Sequence, residues 1–169
     1  MADITKVKMG VCSVTFNGTD LGHTAGGVEV SYAPEYGDIK VDKYGNTIAD
    51  KVLNGEMLSA KVPLTEKTIA NLKVVMPNAT FAGAANSRIT LGKSAGQRLS
   101  SVAAELVLHP IGEGTRAYDV VIHKAVVTSE IMLAMKFDEQ TVTEATFEGL
   151  IDETKSDGNY LGLIGDSTL

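Results

Sequence analysis

The sequence predicts a mainly β fold, a β-sandwich or half-barrel of about seven or eight strands with one short flanking α-helix. Three observations lead there. Period-2 alternation of apolar and polar residues recurs along most of the 169-residue chain, as at Val11–Phe16 and Tyr118–Val127. The 17 glycines favour many turns between short strands over long helices. Helical spacing of apolar residues occurs in one segment, at Ile69, Leu72, Val75 and Met76. The length suits a single domain over 1–169 with a substantial core.

Val11–Phe16 alternates and runs into Asn17-Gly18, the strongest short hairpin signal. Thr24–Tyr32 reads as the next strand, with Val28, Val30 and Tyr32 on one face. Ala33–Gly55 is rich in Gly, Asp, Lys and Asn and carries a second turn signal at Tyr44-Gly45-Asn46, so a long loop is expected around 33–55. Ile39, Val41, Tyr44, Ile48 and Val52 are interleaved in it, and a fully solvated loop has no use for them. Glu56–Leu64 resumes as a strand. A helix of roughly three turns follows over Thr65–Met76, with Thr65 as N-cap, Glu66 near the positive end of the dipole and Pro77 as the stop.

Asn78–Gln97 reads as a Gly/Ala/Ser/Asn-rich connection around a weak strand at Arg88–Leu91, and Leu99–His109 as a strand ended by Pro110. Lys124–Glu153 contains two strands with unusually little solvent-facing surface. In the first, Ile131, Leu133, Met135 and Phe137 share one face while Met132 and Ala134 occupy the other, so both sides are expected to be covered, as at a seam between sheets or subunits. In the second, Thr141–Leu150, Thr143, Ala145 and Phe147 oppose Glu144, Thr146 and Glu148.

The net charge of −6 is unevenly placed: residues 138–169 hold eight acids against one lysine, and residues 1–137 are nearly balanced. That acidic segment repels a phosphate backbone and argues against a protein that grips nucleic acid. The single Cys12 excludes an intramolecular disulfide framework and suits a reducing compartment. MADITKVKMG lacks a signal-peptide core, and no stretch approaches the ~20 apolar residues of a spanning helix, so no membrane segment is expected.

No motif points to catalysis. Gly92-Lys93-Ser94 resembles the end of a phosphate-binding loop, but the glycine required five residues earlier is Ser87. His23, His109 and His123 fall on different predicted elements without metal-ligand spacing, and no Gly-x-Ser-x-Gly elbow marks a nucleophile. No enzymatic activity, cofactor or metal is expected.

The element order, carried by Phe16-Asn17-Gly18, Val28–Tyr32, Thr65–Met76 and above all Lys124–Asp152, resembles the tail tube (major tail) protein family of tailed bacteriophages. The likeness extends over roughly the whole chain and lies in element pattern and similar short phrases. It implies hexameric rings that stack into a hollow tube, a virion tail assembled from protein made in the host cytoplasm, and transient, non-specific passage of dsDNA at ejection. Implied partners are further copies of the chain, tape-measure, tail-terminator and baseplate or tip proteins, and a sheath where the tail is contractile. The resemblance places Ile39, Lys40, Val41, Asp42, Lys43, Tyr44 and Ile48 in a loop between subunits or rings. Glu144, Thr146 and Glu148 become candidates to face the lumen, where an acidic lining keeps DNA from sticking. Alternative classes are the tube of a bacterial contractile injection or secretion system, and a phage decoration or adhesin-like β-domain.

Overall fold

The computed structural model describes residues 10–82, 88–112, 114–133, 135 and 141–167, and within them the chain is mainly β with one flanking helix. The strands are β1 (Cys12–Phe16), β2 (Thr19–Asp20), β3 (Glu29–Lys40), β4 (Ile48–Leu64), β5 (Thr80–Ala82), β6 (Arg88–Thr90), β7 (Ala104–Pro110), β8 (Val120–Val127), β9 (Thr143–Leu150) and β10 (Gly162–Ile164). One antiparallel sheet runs β2-β1-β7-β8-β9-β4-β3, and β10 pairs with the part of β8 that β9 does not reach. β5 and β6 form a separate two-stranded ribbon.

The sheet is curled around one apolar face. Phe16 on β1 and Phe147 on β9 stand three strand positions apart, about 14 Å in a flat sheet. Their ring centroids are nevertheless 5.5 Å apart, so the sheet must bend to bring them together. Val14, Leu106, Leu108, Ile122, Ala125, Ala60, Val62 and Ala145 fill the same cluster. The helix α1 (Ile69–Val75) adds buried Val75, with Leu72 and Met76 packed beside it. This is the half-barrel with a flanking helix that the alternation predicts.

Local sequence explains the turns and caps. Asn17 and Gly18 both have positive φ, 48° and 72°, the pairing a two-residue hairpin loop requires between β1 and β2. The helix starts three residues later than a cap at Thr65 would place it. Thr68, not Thr65, is the N-cap, its Oγ1 accepting from the Asn71 N–H at 3.1 Å. Thr65 instead donates its hydroxyl to the His23 carbonyl at 2.8 Å, and the Glu66 carboxylate accepts from the His23 N–H at 3.2 Å. Tertiary partners thus take both residues that a helix start would have used.

Two further expectations are corrected. Ala33–Gly55 is not a long loop: β3 continues to Lys40 and β4 begins at Ile48, leaving a short turn around a 3-10 stretch at Asp42–Tyr44. The ladder runs through the glycines because bulges between Glu35/Tyr36 and Ile39/Lys40 absorb the irregular residues. Ile131–Leu133 and Met135 form no strand. Ile131 packs at the edge of the core, whereas Leu133 is exposed and Met135 is 93% exposed, so within the single chain no second sheet covers them. Phe137 lies outside the described residues.

A C-terminal strap closes the open end of β8. Gly162 faces Ile122 in the β10–β8 pairing, and a Cβ at Gly162 would stand 2.2 Å from the Val121 carbonyl oxygen, so only glycine permits this approach. The His123 N–H donates to the Leu161 carbonyl at 3.0 Å, and His123 Nε2 lies 2.9 Å from Asn159 Oδ1. Asp152 anchors the other end of the strap, 3.0 Å from Lys124 Nζ, and accepts from the Thr154 hydroxyl at 2.8 Å and its N–H at 3.2 Å.

The Lys124 ammonium, and after it the Thr154 hydroxyl, hold the Asp152 carboxyl down to about 2. A carboxyl depressed on folding contributes stability above its unfolded value near 4, and that contribution is lost as pH falls through about 2. Asp152→Asn is therefore expected to flatten the acid limb of stability between about pH 4 and 2, read by denaturant titration at each pH. An unchanged acid limb would assign the loss to other carboxylates.

Candidate assembly interface

β9 supports β4 from Leu64 only as far as Ser59. Beyond that point β3 and β4 run on as a two-stranded arm, Tyr32–Lys40 against Ile48–Leu58, about 30 Å long. The register sorts the side chains. Tyr32/Leu58, Pro34/Glu56, Tyr36/Leu53 and Asp38/Lys51 share one face, and Ala33/Met57, Gly37/Val52 and Ile39/Asp50 the other. Polar clasps hold the arm. Lys51 Nζ lies 2.8 Å from Asp38 Oδ1, and the Tyr32 hydroxyl donates to the Glu56 carboxylate, which pushes the phenol up from its ordinary value. Gly37 lets the Asn54 amide lie across the bulge, since a Cβ there would be 3.0 Å from it.

Ten large apolar side chains between Val30 and Met57 are exposed, among them Tyr36 (56%), Tyr44 (57%) and Met57 (53%). A two-stranded ribbon is marginal alone, and monomers rarely display so continuous an apolar surface, which makes the arm the candidate interface. Its edges are poorly suited to adding a strand: Pro34 on β3 has no N–H, and the extra residues Ala49 and Asn54 interrupt the line of β4. The faces, not the edges, carry the exposed apolar side chains. Of the residues expected between subunits, Ile39, Lys40, Val41, Asp42, Lys43, Tyr44 and Ile48 all fall at the outer end of the arm. Sequence reasoning missed Tyr36 and Leu53 nearer its root, because the stretch read as a loop, and Met57, because it read as an ordinary strand residue.

β9 has the two faces its alternation implies. Thr143, Ala145 and Phe147 are buried; Glu144, Thr146 and Glu148 lie on the opposite side, away from the core. The acidity there is partly spent within the chain. Glu144 Oε2 lies 3.1 Å from Lys61 Nζ, and Asp152 is taken by Lys124. The histidines are not brought together. His109 Nδ1 sits 2.6 Å from the buried Asp119 carboxylate, His123 meets Asn159, and His23 lies 3.9 Å from Glu66. Among the described residues no His, Cys, Asp or Glu cluster has a metal-binding arrangement, and no described helix is long and apolar enough to cross a membrane.

The end of the fold opposite the arm carries a groove of about 670 Å³ between the end of α1, the 91–99 segment and the residues after β8. Val75, Met76, Leu91, Leu99, Val127 and Ile131 supply its apolar lining, and Gly92-Lys93-Ser94 forms part of its wall. No protein-family model and no curated protein matches the chain.

Proposed function

We propose that this chain is a structural subunit of a bacteriophage tail tube, closing into rings that stack around a channel for DNA. The arm carries the reading: an otherwise well-packed half-barrel extends about 30 Å of ribbon whose root, at Tyr32 and Leu58, meets the C-terminal strap, while Tyr36, Ile39, Tyr44 and Val52 beyond it stay exposed in the single chain. Such a surface on every copy, complementary to a different surface on the next, generates rings where rotation closes and filaments where it does not. The resemblance in element order supplies the tube, and the outward face of β9 supplies its lining, with Glu144, Thr146 and Glu148 towards the lumen.

Negative-stain microscopy of the purified protein across a concentration series tests the proposal, and hollow tubes or annuli are expected. A species that stays monomeric throughout would overturn it and favour a decoration or adhesin-like module. The lining has its own test. Glu144→Lys with Glu148→Lys is expected to leave tubes intact and slow DNA release from assembled particles, as measured by ejection kinetics. Wild-type ejection from a fully assembled variant would remove these residues from the lumen.

A further inference from the structure

We infer that the groove at the α1 end of the fold receives the arm of a second copy, so that copies join head to tail along the strand direction. The inference rests on the assembly reading above and names the surface that the arm meets.

Strand direction places the two surfaces at opposite poles. The first residue of β9 lies beside the end of β4 (Thr143 with Leu64), and Phe147 pairs with Val127 at the end of β8. Val127, Thr128, Ser129 and Ile131 continue from there into the groove, and α1, which follows β4, contributes Val75. The other end of β9 lies beside Ser59 (Glu148) and Lys124 (Leu150), and the arm departs beyond Ser59. A projecting apolar ribbon at one pole and an apolar hollow at the other repeat without limit when stacked.

The chemistry of the two surfaces matches. The apolar part of the groove is aliphatic, interleaved with polar Asn78, Gln97, Thr128 and Ser129, and Leu91 within it is 74% exposed. Met76 in its wall is unbranched and polarizable, which suits a surface that must fit itself to Tyr36, Tyr44 and Ile48. Among the described residues, Lys93 is the only charged one lining the groove. The outer arm offers Asp42 in its end turn and Asp50 on β4, while Asp38 is already held by Lys51. An arm-to-arm contact would bury one apolar surface, leave the groove bare and stop at two copies. A heterologous contact covers both surfaces at once.

The test uses photo-crosslinking in assembled material mixed from isotopically labelled and unlabelled chains. Tyr44→p-benzoylphenylalanine is expected to give inter-chain crosslinks to 75–79, 91–99 or 127–133. The reciprocal probe, Leu91→p-benzoylphenylalanine, is expected to capture peptides of 36–53 and serves if the Tyr44 variant does not assemble. Assembly with crosslinks that fall elsewhere would overturn this docking while leaving the tube reading in place. An unmodified chain that never assembles would overturn both.

Discussion

Tyr36→Asp combined with Val52→Asp is expected to abolish self-association while leaving the folded subunit as stable as the parent. The two residues stand on opposite faces of the arm, Tyr36 against Leu53 and Val52 against Gly37. Both remain about half exposed in the single chain, so neither holds the core together. Completing the burial of two such side chains on assembly contributes roughly 1–2 kcal/mol each. Replacing them with carboxylates removes that gain and adds the cost of drying two unpaired charges. The combined loss exceeds about 3 kcal/mol, which weakens each contact by more than a hundredfold. Because the contact repeats at every subunit of a polymer, sedimentation should show monomer where the parent forms large species. Calorimetry should show the same unfolding temperature. Tubes at the parent's concentration would mean the arm is not the adhesive surface, and a large fall in unfolding temperature would mean the arm belongs to the fold.

How much of this was legible in the sequence differs by element, and the differences have physical causes. β9 was readable to the face: Phe147 and Ala145 turn inward and Glu144 and Glu148 outward, because strict alternation leaves one register that buries the apolar set. The Asn17-Gly18 turn was equally plain, since few residues tolerate two successive positive φ values. The arm was half readable. Its tip was marked by Tyr44-Gly45-Asn46 and its apolar residues were noticed, yet Gly37, Asn54 and Gly55 broke the period-2 pattern and disguised two strands as a loop. The bulge that places Asn54 over Gly37 is a pairing event, and pairing is invisible in either strand alone.

The helix start was misplaced for a related reason. Thr65 and Thr68 are both good caps, and the choice fell to the backbone of His23, more than forty residues away, which engages Thr65 and Glu66. Ile131–Met135 shows the limit of periodicity. The pattern is that of a strand, but at the described residues 131–133 and 135 no neighbour pairs with it, and only Ile131 reaches the core. The groove could not have been found from sequence, because its walls come from three separated segments.

Phe147→Ala is expected to have the largest effect on the fold, lowering stability by about 3–5 kcal/mol. The ring is fully buried and meets Phe16 at 5.5 Å with a 42° tilt, joining β9 to β1 across the hollow of the curled sheet. Truncation loses the transfer free energy of the ring and the aromatic contact, and it leaves a void that the neighbouring strands cannot readily fill. Ala60 faces Phe147 from β4 and Ala145 lies two residues along the same strand, both too small to extend into the space. For a domain of this size the loss corresponds to a fall of roughly 10 °C or more in unfolding temperature. Phe147→Leu should recover more than half of it by refilling most of the volume. The adjacent Glu148→Ala, on the other face of the same strand, should shift the temperature by no more than a degree or two, since substitutions away from the core act within about 0.5 kcal/mol. Equal losses from Phe147→Ala and Glu148→Ala would show that the apolar interior does not lie where β9 places it. A small loss from Phe147→Ala alone would show that the sheet is not held in its curl by the Phe16–Phe147 contact.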